Sequence, residues 1–205
     1  MQIVLVRHGQ TDWNKQGRYQ GITDIPLNED GKNEARMARD YLATKDWDCI
    51  ISSPLQRAKE TASIINEKVG STIYFMDELV ERSFGEAEGL LYHEIGPTFG
   101  NLNNIPNYET TELLNKRIIR AMEKIAEFPY EKVIIVAHAL VINKILCIIE
   151  HGLTKENFYT LSNCGLTYVT CMNHQWKIEQ INDTTHLESL KDLKSFNGLT
   201  SLAEN

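Results

Sequence analysis

The sequence predicts an α/β domain of three layers, helices on both sides of a mostly parallel central sheet. Three observations carry that expectation. Short apolar runs, QIVLV at 2–6, DCIIS at 48–52 and TIYFM at 72–76, alternate with segments whose apolar residues recur at helical spacing. KVIIVA at 132–137 is apolar on both faces, as a central parallel strand must be. The 205 residues are ample for one large core, and they contain no internal repeat.

QIVLV leaves no room for a helix before it, so it reads as the first strand. A polar loop rich in Gly, Asn and Asp runs to about Gly31. From Lys32 to Thr44, Ala35, Ala38 and Leu42 define an amphipathic helix. After DCIIS, Ser53 is expected to cap a helix, Pro54 to fill its first position and Gly70 to follow its end. Residues 83–115 read as an irregular cap punctuated by Gly85, Gly89, Gly96, Pro97, Gly100 and Pro106.

A helix over 111–127 follows, with Leu114, Ile118, Ala121, Met122 and Ile125 on one stripe. The segment 138–150 is a largely apolar helix, and 166–172 and 176–181 read as late, edge-type strands. One domain is therefore expected over 1–182, and a polar tail with a weakly amphipathic piece near 187–195 over 183–205.

The net charge is -7 and the pI about 5.4, a field that disfavours nucleic acid and anionic membranes as partners. No apolar run is long enough to span a bilayer, and Arg7 arrives too early for a signal peptide. Cys49, Cys147, Cys164 and Cys171 form no CxxC pair, so they read as small buried residues in a reducing compartment. A cytoplasmic location is the expectation. His93, His151, His174 and His186 lack metal-ligand spacing and read as solvated, so no metal is implied.

In parallel α/β sheets, ligands bind beyond the carboxyl ends of the strands. That rule selects Arg7 and His8 after the first strand, Ser52 to Arg57 after the second, and His138 after VIIVA. Cationic and imidazole side chains thus converge by topology alone, as an anion site requires. A buried arginine without an anion would cost several kcal/mol, so something negative should meet Arg7.

The blocks VRHGQTDWN, SSPLQRAKET, LVERSFGEAEG and VIIVAHA resemble, in this order, those of the histidine phosphatase superfamily, the phosphoglycerate mutase-like group. The resemblance implies that fold, a phosphomonoester substrate, and catalysis without metal or cofactor. It makes His8 the nucleophile that forms a phosphohistidine, Arg7 and Arg57 the clamp on the phosphoryl oxygens, and His138 a donor to the same group. Guanidinium suits the clamp because its paired donors match phosphate. Glu81 takes the acid/base role, although two nearby arginines are expected to keep it ionised. Asn14, Gln20, Gly21 and Ala139 fall on the substrate side.

The resemblance covers phosphatases and mutases, and non-catalytic members are conceivable. The cap is short, lacks Lys and Arg, and holds Glu86, Glu88, Glu94, Glu109 and Glu112. That charge is expected to disfavour phosphoglycerates and so to favour hydrolysis of a less anionic small-molecule phosphomonoester. Two departures from the family pattern stand out. Ala139 replaces a usual glycine and is expected to crowd the pocket, while Asn143 replaces an arginine and removes a cation. Nothing in the sequence speaks to oligomeric state.

Overall fold

The computed structural model describes residues 1–154 and 157–188. Strands β1 (Gln2–Arg7), β2 (Cys49–Ser52), β3 (Thr72–Phe75), β4 (Lys132–Ala137), β5 (Leu166–Met172) and β6 (Gln175–Asp183) form one sheet in the order β3-β2-β4-β1-β5-β6. The first four in that order are mutually parallel, whereas β5 runs antiparallel to β1 and β6 antiparallel to β5. The sheet is thus mixed. β5 is an interior strand rather than an edge, and β6 and β3 are the edges.

The helices are α1 (Asp12–Gln16), α2 (Glu29–Leu42), α3 (Gln56–Val69), α4 (Ile95–Phe99), α5 (Thr111–Ala126) and α6 (Ala139–His151). Strand side chains alternate between faces, and this divides the core in two. Ile3, Leu5, Ile51 and Ile135 pack with the stripes of α5 and α6; Val4, Val6, Ile50 and Ile134 pack with those of α2 and α3. Each fully buried Val, Leu or Ile contributes about 1.5–3 kcal/mol before its entropic cost. Cys49, Cys147, Cys164 and Cys171 are all buried and none is in a disulfide.

Helix α2 starts three residues before the apolar pattern does, because Asn28 Oδ1 accepts from Gly31 N at 2.9 Å and caps it. Its third residue, Gly31, lies against the loop after β1. A Cβ on Gly9 would fall inside contact distance of the Gly31 carbonyl, and one on Gly31 would collide with the backbone of Gln10. The glycine that follows Arg7-His8 is therefore needed for packing. Ser53 does not cap α3: Leu55 precedes its first residue, and the Ser53 hydroxyl is engaged with His138 instead.

Between β3 and α5 the chain forms the cap, held by short 3-10 turns, α4, and a small core of Phe84, Ala87, Ile95 and Ile105. At the far end, Asp183 still belongs to β6 and Leu187 is buried against the α2–α3 side of the core. The domain thus continues past the boundary expected at residue 182; the part of the expected tail from 189 onward, including most of the 187–195 piece, lies outside the described residues. His186 is not solvated. Its Nε2 meets the Cys164 carbonyl at 3.1 Å and its ring lies 5.5 Å from that of Tyr41.

Candidate active site

Register brings the candidate residues together. Arg7 lies beside Ala137 in the β1–β4 pairing, and Ser52 beside Val136 in the β2–β4 pairing. The next residues, His8, His138 and Ser53, therefore leave the sheet side by side at the carboxyl ends of three parallel strands. A cavity of about 490 Å³ opens above them. Arg7, His8, Asn14, Gln20, Gly21, Arg57, Glu81 and Ala139 all line it. His138 does not; it is wholly buried beside His8, with ring centroids 5.1 Å apart.

His8 is 3% exposed, and its Nδ1 lies 2.7 Å from the Gly9 carbonyl. Burial, then the charges of Arg57 and Arg7, hold its pKa well below the ordinary 6.5, so the ring is neutral. In that state Nδ1–H donates to Gly9, and the Nε2 lone pair is the one left to the cavity. His138 is likewise held neutral by burial and Arg57. Its Nε2 pairs with Ser53 Oγ at 2.8 Å, while its Nδ1 is buried without a partner. The serine hydroxyl can donate to Nε2, which places the ring proton on Nδ1.

Arg57, in the first turn of α3, is 1% exposed and donates to the carbonyls of Thr23 at 3.0 Å and Gly21 at 2.7 Å. Burial pulls its pKa down to about 10, so it remains a cation at neutral pH. Arg7 donates from one guanidinium nitrogen to the Leu161 carbonyl at 2.6 Å. The Nε–H groups of both arginines are buried without an acceptor. An unsatisfied buried donor costs roughly 1–3 kcal/mol. Two such donors beside a neutral imidazole suit an anion.

Gly21 is held at φ +55° with its would-be Cβ against Glu88 and Phe84, so a side chain there is excluded twice over. Gln20 is buried, its amide oxygen accepting from Thr11 Oγ1 at 2.9 Å. Asn14 Oδ1 accepts from Thr11 N at 3.1 Å and from Asn163 Nδ2 at 3.3 Å, which leaves its amide NH2 for the cavity. Asn163 also donates to the His8 carbonyl at 2.9 Å. It is a supporting residue the motifs do not reveal.

Glu81 accepts from the backbone N–H of Arg82 at 2.9 Å and of Leu140 at 3.3 Å. Its pKa is raised: burial outweighs these hydrogen bonds and the two arginines. The expectation that the arginines would set the direction of its shift fails, because the residue is only 8% exposed. Nor does it pair with the Arg82 side chain, which donates to the Glu109 carbonyl and Thr111 Oγ1 and lies 4.3 Å over the Tyr108 ring.

The charge reading of the cap also needs correction. None of its five glutamates lines the cavity. Glu88 binds the backbone N–H groups of Ile22, Thr23 and Phe84, Glu94 that of Leu91, and Glu109 and Glu112 pair with Arg117 and Lys116. The upper cavity is instead lined by Arg18 and Arg82, with Tyr19, Phe84, Tyr92, Leu102, Tyr108, Leu140 and Phe158. Nothing in the sequence marks Arg18, and the aromatic residues look like core. Asn143 does not stand in for a pocket cation here. It is buried and brackets Tyr159, accepting from its N–H at 2.6 Å and donating to its carbonyl at 3.0 Å. Ala139 faces the cavity and its carbonyl accepts from Asn143.

The model of the histidine phosphatase superfamily (branch 1) matches residues 3–184. The chain belongs to that superfamily. A relative from Bacillus subtilis (strain 168), "Uncharacterized phosphatase PhoE", is 40% identical over 90% of this chain and 96% of its own. The GpmB protein of Serratia proteamaculans, named a probable phosphoglycerate mutase, is 30% identical over 92% of this chain and 96% of its own. Among solved structures, a mycobacterial glucosyl-3-phosphoglycerate phosphatase in complex with VO3 superposes with a TM-score of 0.79 at 25% identity, over 89% of this chain and 99% of that one. The chain has no helix, among the described residues, long and apolar enough to cross a membrane. Nor do its described residues include a group of three His, Cys, Asp or Glu able to hold a metal ion.

Proposed function

We propose that this protein is a metal-independent phosphomonoester hydrolase that works through a phosphohistidine on His8. One observation carries the reading: a neutral His8 whose Nδ1 is tied to Gly9 faces a cavity with two arginines whose buried Nε–H groups have no protein acceptor. The guanidinium groups of Arg7 and Arg57 and the amide of Asn14 hold the three peripheral oxygens of the phosphoryl group. His8 Nε2 attacks phosphorus and the ester P–O bond breaks on the opposite side. His138, with its proton on Nδ1, stabilises the charge spread over those oxygens.

Glu81, whose hold on a proton is strengthened by burial, gives a proton to the leaving alkoxide. As carboxylate it then takes a proton from the water that attacks the phosphohistidine. That step frees inorganic phosphate and restores both groups. Splitting one displacement into two avoids direct attack by water on a phosphate dianion. The arginines supply the positive charge that a metal ion supplies in other phosphatases.

A mutase is the second reading, favoured by Arg18 and Arg82 in the upper cavity, which suit a second anionic group. Hydrolysis is preferred because the rim is open, with Tyr92 53% and Phe158 59% exposed, so water enters and product leaves. The experiment is phosphate release in the presence of a chelator, across nitrophenyl, sugar, nucleoside and carboxylate-bearing phosphates. Conversion of 3- to 2-phosphoglycerate, primed with 2,3-bisphosphoglycerate, is followed in parallel. Release without interconversion is expected. In His8→Ala both turnover and the alkali-stable phospho-enzyme should vanish, a loss on the order of 10⁴-fold or more; normal turnover in that variant would sink the assignment.

A further inference from the structure

We infer that Arg117 and Glu109 form a positioning pair that sets the geometry of Glu81, an inference that rests on the acid/base role proposed above. Glu81 sits on a stretch without regular structure, just past a short 3-10 turn at Asp77–Leu79. A sheet or helix would fix such a carboxylate through its own ladder; here one side chain does so from outside. Arg117, on α5, donates from Nη1 to the carbonyls of Glu78 at 2.8 Å and Val80 at 2.6 Å, and from Nη2 to that of Glu81 at 3.5 Å. Its Nε and Nη2 grip the Glu109 carboxylate at 2.9 and 2.7 Å. All five N–H groups of the guanidinium are thereby used.

Glu109 completes the frame from the cap side. Its backbone N–H donates to the Ser83 carbonyl at 3.0 Å, and its own carbonyl accepts from Arg82 Nε at 2.9 Å. The residues on both sides of Glu81 are thus held by one ion pair that joins the end of the cap to α5. This gives a cap glutamate a task that its charge alone does not suggest. A lysine could not repeat the arrangement, because an ammonium has three donors and no planar fork. Displacement of a proton donor by about 1 Å costs up to roughly 100-fold in rate.

The test uses Arg117→Lys and Glu109→Gln in the full chain, beside Glu81→Gln, with nitrophenyl phosphate and glycerol phosphate as good and poor leaving groups. Melting curves run in parallel confirm that each variant is folded. The expected result is a split in kcat/KM, which reads only the steps through departure of the leaving group: it falls roughly 10- to 100-fold on glycerol phosphate and stays within about threefold on nitrophenyl phosphate. Glu81→Gln should give the same split, and adding Arg117→Lys to it should cost little more. Equal losses on the two substrates in Arg117→Lys, with the split intact in Glu81→Gln, would overturn the pairing while leaving the role of Glu81 standing. No split in Glu81→Gln would remove that role, and the inference with it.

Discussion

Around His8 the polar atoms are fixed by main chain belonging to the sheet and the turns that leave it, whereas around Tyr92 the chain is held by 3-10 turns, side-chain caps and four buried residues. The floor of the cavity inherits its geometry from paired strands, where a shift of one residue would reverse every side chain. The cap has no such register. Its polar contacts are made by glutamates reaching to N–H groups elsewhere, as Glu88 does to Ile22 and Thr23. The floor can therefore hold one chemistry, while the cap can be altered to select the organic part of the ester.

The sharpest way to break that contrast is at Arg57. Arg57→Lys keeps the charge but loses the fork and the bonds to Gly21 and Thr23, and kcat/KM should fall by roughly 10²- to 10³-fold on every substrate. A loss below tenfold in steady-state assays would mean the floor tolerates rearrangement as the cap does.

A second, smaller effect concerns stability. His8 and His138 are buried and neutral, with folded pKa values below the 6.5 they take up on unfolding. The unfolded chain thus binds more protons, and the stability present above 6.5 is lost as pH falls from there toward the folded values. Glu81, raised by burial, has the opposite sign, since the folded state holds its proton longer. Comparison of His8→Gln with the parent chain cancels that contribution. The decline of Tm between pH 7 and 5 should be shallower in His8→Gln; parallel curves would show that His8 does not set the acid limit.

The smallest effect is expected in the cap. Tyr92 packs edge-on against Tyr19 at 4.8 Å and is half exposed at the rim. Tyr92→Ala should raise KM for aromatic phosphates by about two- to tenfold, the worth of one aromatic contact, and leave kcat within about twofold. A large drop in kcat would make the cap part of the chemistry.

The same contrast separates what the sequence revealed from what it hid. The convergence of Arg7, His8 and His138 was legible because each lies at the end of an apolar strand, and such ends in parallel sheets are where ligands are expected. The stripes of α2 and α5 were equally plain, since Ala35, Ala38 and Leu42, and Leu114, Ile118 and Ile125, recur at helical spacing and are buried. Arg18, Asn163 and the pair Arg117–Glu109 were not legible. Their partners lie far along the chain, as Asn163 does from His8, and no periodicity encodes such contacts. The direction of the pKa shift at Glu81 was misjudged for a related reason: nearby charges can be counted in a sequence, but the depth of a carboxyl cannot.

The contact between Gly9 and Gly31 constrains how this chain can change over evolutionary time. Alanine in place of a glycine within a helix usually adds up to about 1 kcal/mol to it, so drift and design alike would favour it in α2. Here the added methyl would meet the backbone of Gln10, two residues from the proposed nucleophile. Because Gly9 clears the main chain of Gly31 and Gly31 clears that of Gln10, a change at one glycine cannot be rescued by a change at the other. Two positions far apart in sequence thus form a single inherited character, and variation in α2 must leave its third residue alone.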